Sequence, residues 1–181
     1  MPLQKKPQVL IVPGLYNSGP GHWQSEWERR NPGFQRVEQQ NWDTPDRRLW
    51  LTTLDRDIRA ESDNVILVGH SLGSIAIAFW AAEYGRKIAG ALLVAPSDAE
   101  AQSFPPCTTG FTPIPRSVIP FPTTVIASTK DPYMDFARTE FFARAWGSEL
   151  VSLGERGHIS TADGFGPWPE GLQYLNRFYG E

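Results

Sequence analysis

Residues 64–82 read NVILVGHSLGSIAIAFWAA. Val65 to Val68 are branched apolar residues of the kind buried on both faces of a sheet, and an almost wholly apolar helical stretch begins soon after them. Between the two lies Gly69-His70-Ser71-Leu72-Gly73. The order is therefore strand, tight turn, helix. The two glycines remove the Cβ atoms that would collide as the chain reverses, and the turn lifts the Ser71 hydroxyl above the sheet edge. A chain of this glycine and serine content carries G-x-S-x-G by chance in about a tenth of cases, so the surroundings must decide its meaning. An inert turn serine predicts nothing downstream. A chemically used one predicts an acid after a later strand and a histidine after a still later one.

Working outward, Gln8 to Val12 is a first buried strand, ended by Pro13-Gly14. The following loop, Gly14 to Gly21, offers two glycines at phosphate-loop spacing, but Pro20-Gly21 stand where Lys and Ser or Thr would bind phosphate and Mg²⁺, which excludes nucleotide binding there. Gly21 to Arg30 places Trp23 and Trp27 on one helical face, with His22 on that helix or at its cap in a structural or surface role, the alternative being that it lines a site. Phe34 to Gln39 is a second strand, nearer the sheet edge because of its charges. Thr44 as cap and Pro45 in the first turn open a helix whose stripe is Trp50, Leu51, Leu54 and Ile58. Beyond the central stretch, Gly90 to Ala95, Thr123 to Ser128 and Glu149 to Leu153 are further strands. Phe136 to Trp146 is a helix, and Trp168 to Tyr179 is a closing helix with the stripe Leu172, Leu175, Tyr179.

Alternating strands and helices imply an α/β fold: a three-layer α/β/α sandwich of about six parallel strands, forming one domain over residues 1–181. One segment breaks the alternation. Pro96 to Pro122 carries seven prolines with Phe104, Phe111 and Phe121, and leaves the carboxyl end of the fourth strand, where open parallel sheets bind ligands.

The 181 residues suit one core, and a net charge of −3 argues against nucleic acid or an anionic membrane as partner. A neutral or small ligand is the better expectation. The single Cys107 leaves no disulfide framework, and Lys5 and Lys6 precede an apolar run too short for a signal peptide or a membrane span, so a soluble, cytoplasmic protein is expected.

Both positional expectations from Ser71 are met in the sequence. Asp131 follows the fifth strand in STKDP, and His158 follows the sixth in GERGH. The order Ser71, Asp131, His158 is that of α/β-hydrolases. The hydroxyl needs a base, which imidazole supplies near neutral pH. The acid holds the imidazole tautomer, and backbone N–H groups of Leu72 and Leu15 would bind an oxyanion. His70 lies inside the turn and His22 precedes it, so His158 alone satisfies the order. Asp98, Asp135, Asp163 and Glu155 compete with Asp131 for the acid. Tyr16, Phe111, Phe165 and Trp168 lie on loops near the expected site and are candidates for its pocket.

With these residues assembled, the chain resembles the small serine hydrolase family that includes a retinoblastoma-binding protein of animals and many short bacterial α/β-hydrolases. The likeness rests on VLIVPGLYNSGPGHWQSEWE, VGHSLGSIA, STKDPY and GHISTADGFGPWPEG. It implies a core domain without a cap, a triad at Ser71, Asp131 and His158, and no cofactor or metal. The L-x-C-x-E signature of the animal protein is absent, so that partner is not carried over. The reading that follows is a serine hydrolase cleaving a small or medium ester, thioester or activated amide through an acyl-Ser71 intermediate. A catalytically quiet partner-binding module, or an acyltransferase or perhydrolase using the same triad, are the alternatives.

Overall fold

The computed structural model describes residues 6–179; Lys5 lies outside them. Six strands form one sheet: β1 (Gln8–Val12), β2 (Phe34–Arg36), β3 (Val65–His70), β4 (Gly90–Val94), β5 (Thr123–Ala127) and β6 (Glu149–Ser152). All pairings are parallel and the spatial order is β2-β1-β3-β4-β5-β6. The central strands β3, β4 and β5 are buried along their whole length, which is why they read as continuous apolar runs, while β6 at one edge is half exposed.

Strand alternation divides the core into two layers. Leu10, Val12, Val65, Leu67, Ala91 and Leu93 face α2 (Arg47–Ala60), α3 (Leu72–Tyr84) and α4 (Phe136–Trp146). Val9, Ile11, Ile66, Val68, Leu92 and Val94 face α1 (Trp23–Arg30) and the C-terminal segment. Helix α3 is buried from Leu72 to Ala81, as its all-round apolar sequence requires, and ends on Gly85 in the left-handed conformation.

Three boundaries differ from expectation. Strand β2 stops at Arg36, whose guanidinium is drawn aside to Glu28, Asn17 and Ser25. Helix α2 is capped by Asp46, which accepts the Leu49 N–H at 3.1 Å; Thr44 is held instead in a turn by Asn41 Oδ1, and the Pro45 carbonyl is taken by the Thr109 N–H at 2.8 Å. The closing helix is short, α5 (Pro169–Leu172), and tightens into a 3-10 helix over Gln173–Phe178. Three residues per turn then bring Leu175 and Phe178 to the sheet, leaving Leu172 and Tyr179 only partly covered.

The proline-rich segment breaks the alternation as expected. It has no strand or helix, yet it is packed down rather than loose: Phe111, Ile114, Ile119 and Phe121 are buried in the α2/α3/α4 layer. The Trp146 indole donates to the Pro115 carbonyl at 2.8 Å, and the Ile119 N–H to the Trp146 carbonyl at 2.9 Å. Phe111 therefore belongs to the core, wedged between Trp50 and Phe79, and does not line the pocket expected of it.

Candidate active site

The turn between β3 and α3 takes the strained geometry that its sequence demands. Ser71 sits at φ 56°, ψ −124°, a region that costs a non-glycine residue of the order of 1–3 kcal/mol. Its neighbours explain how the strain is held. A Cβ on Gly73 would collide with the Val12 and Pro13 carbonyls, and one on Gly69 would meet Ser74 N and Ile77 Cδ1 at 2.8 Å. The Ser71 N–H and the Ser74 hydroxyl both donate to the Val94 carbonyl, at 3.0 and 3.2 Å, tying the turn to β4.

The loop after β1 presses on this turn from one side. A Cβ on Gly14 would lie 2.9 Å from both His70 O and Ser71 Cβ, and 3.1 Å from Leu72 N. The Tyr16 N–H is committed to the Trp42 carbonyl at 2.9 Å, whereas the Leu72 N–H opens α3 and has no acceptor a turn earlier within the helix.

The loops after β5 and β6 bring Asp131 to His158. Both carboxylate oxygens accept from His158 Nδ1, at 2.9 and 2.8 Å, and the two side chains are nearly enclosed. That bond assigns the ring's proton: Nδ1 carries it, and Nε2 keeps a free lone pair. The backbone of the His158 loop is anchored on three sides. His70 Nε2–H donates to the His158 carbonyl at 2.9 Å, and the Trp23 indole to the Ile159 carbonyl at 2.9 Å. Asp163 Oδ2 accepts from the N–H groups of His158 and Ser160, at 3.0 and 3.1 Å. Gly157, at φ 56°, lets the Asp163 carboxylate approach where any side chain would obstruct it.

The competing acids are engaged elsewhere. Asp98 is paired with Arg138, one bond being 3.0 Å, and Glu100 shares the same guanidinium. Asp163 serves the backbone, Glu155 pairs with Lys130 at 2.8 Å on the surface, and Asp135 stands at the start of α4.

Ser71 and His158 open onto one cavity of about 290 Å³, with Leu15, Tyr16, His22, Ser97, Phe104, Pro105 and Tyr133 among its walls. Of the four pocket candidates only Tyr16 lies there. Phe165 and Trp168 border a separate hollow with Leu153 and Arg156, and Trp168 is itself buried, stacked on Trp27 at 5.6 Å. Sequence reasoning missed Phe104, Tyr133 and Ser97, whose loops converge only through the fold. His22 fills both roles left open for it: it caps α1 by accepting the Gln24 N–H on Nδ1 at 3.2 Å and also borders the cavity. Gln24 holds that cap in place: its amide donates to the Val68 carbonyl at 3.0 Å and accepts from Ser18 Oγ at 2.6 Å. The signal available was a glutamine set among the tryptophans of an otherwise inward helical face.

Burial, then electrostatic coupling to His158 and Arg36, lowers His22 to about 4. Burial also holds His70 well below the usual histidine range. Both rings are neutral at neutral pH. Among the described residues, no group of three or more His, Cys, Asp or Glu side chains could hold a metal ion, and no helix is long and apolar enough to cross a membrane.

A family model described as serine hydrolase matches residues 9–177. The chain belongs to the serine hydrolase family. A YdeN-like hydrolase of Pectobacterium atrosepticum is 39% identical, with 96% of this chain and 91% of that one aligned at a TM-score of 0.85. At 24% identity, the ydeN gene product of B. subtilis aligns over 97% of this hydrolase and 100% of its own length with a TM-score of 0.80. A thermophilic esterase from Thermogutta terrifontis shares the fold at 16% identity and a TM-score of 0.66, over 95% of this chain and 90% of its own. No curated protein matches the sequence. These likenesses establish the α/β-hydrolase fold expected from the sequence, and the described residues contain no cap domain.

Proposed function

We propose that this hydrolase cleaves small carboxylic esters through an acyl-Ser71 intermediate. One observation carries the reading: both Asp131 oxygens hold His158 Nδ1, while His158 shares a cavity with Ser71. In the first step His158 Nε2 takes the hydroxyl proton as Ser71 Oγ bonds to the carbonyl carbon, and Asp131 stabilises the imidazolium formed. The tetrahedral oxyanion is received by the N–H groups of Leu72 and Leu15, fixed dipoles that need no reorganisation as charge develops. His158 then protonates the departing alkoxide. Water, deprotonated by the same nitrogen, releases the acid and restores Ser71.

The cavity volume of about 290 Å³ lies at the lower end of the range for small-molecule sites, which supports a short acyl group. No lysine or arginine is among the residues lining it, which supports an uncharged one. A fluorophosphonate probe tests the reading. It should label wild-type protein and fail on Ser71→Ala, and turnover of 4-nitrophenyl acetate or butyrate should fall by about 10⁶ in Ser71→Ala. Equal labelling of the two proteins would sink it.

A further inference from the structure

Two buried polar atoms of residues in the cavity wall have no partner among the described residues. His22 Nε2 and Ser97 Oγ are both shielded from solvent and make no hydrogen bond among the described residues. His22 is 6% exposed and Ser97 2%, and both line the cavity that Ser71 and His158 share. A buried donor left unpaired destabilises a fold by about 1–3 kcal/mol, so such atoms are rare unless a ligand completes them.

The chemistry of the missing partner follows from the His22 ring. A backbone N–H can only donate, so Nδ1, which accepts the Gln24 N–H, carries a lone pair, and the proton of the neutral ring is on Nε2. His22 thus carries one uncharged, unspent N–H donor in a ring that lines the cavity and packs against Trp23 at 5.3 Å and His70 at 4.7 Å. Ser97 presents a hydroxyl that can donate as well. Depression of the His22 pKa to about 4 by burial keeps the ring neutral at working pH, so a carboxylate would find no counter-charge there.

We infer that His22 and Ser97 are specificity-determining residues, and that the small ester attacked by Ser71 carries an uncharged hydrogen-bond acceptor beyond its scissile carbonyl, in its acyl or alcohol part. This rests on the hydrolase reading above and narrows its substrate class. A site built to satisfy such an atom discriminates against the alkyl isostere, because binding the isostere leaves the donors buried and unpaired.

The test uses two isosteric pairs: 4-nitrophenyl methoxyacetate against butyrate, and 2-methoxyethyl acetate against butyl acetate. Rates are corrected for the esters' intrinsic reactivity toward hydroxide. In wild-type protein kcat/KM should favour the oxygen-bearing member of at least one pair by about tenfold or more. His22→Asn keeps an acceptor for the Gln24 N–H and removes the distal donor; His22→Gln places an amide donor near the original Nε2. The preference should collapse by about tenfold in His22→Asn and in Ser97→Ala, and persist in His22→Gln, with matched thermal melts showing that all three fold. A merely structural role for His22 would move the melts and leave the preference unchanged. Binding is read independently of turnover from the ¹⁵N-edited NMR signal of the His22 ring in Ser71→Ala, which should shift with the oxygen-bearing ester and not with its isostere. No preference in either pair of esters, or the same preference in every variant, overturns the inference. If the ring signal discriminates while the fluorophosphonate fails to label Ser71, the hydrolase reading fails and the recognition site stands.

Discussion

Asp98 and Asp131 both follow strands at the carboxyl edge of the sheet, and local sequence does not separate them. What separates them is the partner each meets. Arg138, in the first turn of α4, reaches back to Asp98 and Glu100, whereas the Asp131 carboxylate receives His158 Nδ1 and the Tyr133 N–H, the latter at 2.9 Å. Asp131→Asn should therefore cost about 10⁴ in kcat with the fold intact, because the amide cannot hold the same imidazole tautomer. Asp98→Asn should leave kcat within a few-fold and lower the urea midpoint by breaking a partly buried ion pair. Steady-state kinetics and unfolding curves on the two variants decide the matter, and a larger kcat loss in Asp98→Asn would reverse the assignment.

Among the elements, the junction of β1, β3 and α3 is the least forgiving. Its tightness was foreshadowed by glycines at 69 and 73, but the partner of each contact was not: Gly73 faces β1's last carbonyls, and Gly69 faces the first turn of α3. Gly73→Ala must drive a methyl into the Val12 and Pro13 carbonyls, which belong to backbone and cannot rotate away. A loss of about 3 kcal/mol or more is expected in urea unfolding, together with slower fluorophosphonate labelling as Ser71 is displaced. Near-wild-type stability would show that β1 can yield. The strands and α3 were legible because period and length speak for themselves; the start of α2 was not, since Thr44, Pro45 and Asp46 are all good opening residues. The competition was decided by a distant residue, Thr109, whose backbone engages the Pro45 carbonyl and the Arg47 N–H at 2.8 and 2.9 Å.

Across the whole molecule, burying neutral histidines couples stability to pH. In the unfolded chain His22 binds its proton near pH 6.5, but in the folded protein only near about 4. Between those values the unfolded state holds more protons, so stability is fully present above pH 6.5 and falls as the pH drops toward 4. The depression corresponds to about 3 kcal/mol from His22, and His70, depressed in the same direction, adds to it. Urea midpoints measured from pH 7 to pH 4.5 should fall more steeply for wild-type protein than for His22→Asn. Parallel curves would mean that His22 takes up its proton in the folded state at an ordinary pH.

Short-range pattern was enough to determine the alternation of strands and helices, the elbow at Ser71 and the chain order of Ser71, Asp131 and His158. Each of these follows from periodicity, turn chemistry or loop position within a few residues. Only the tertiary structure decided that Phe111 is core, that Trp168 stacks on Trp27, and that His22 and Ser97 border the cavity with donors unspent. Those outcomes depend on the segments after five different strands meeting at one edge of the sheet. An aromatic or a histidine on such a loop serves the core or the cavity according to its direction of approach, which residues far away in the chain control.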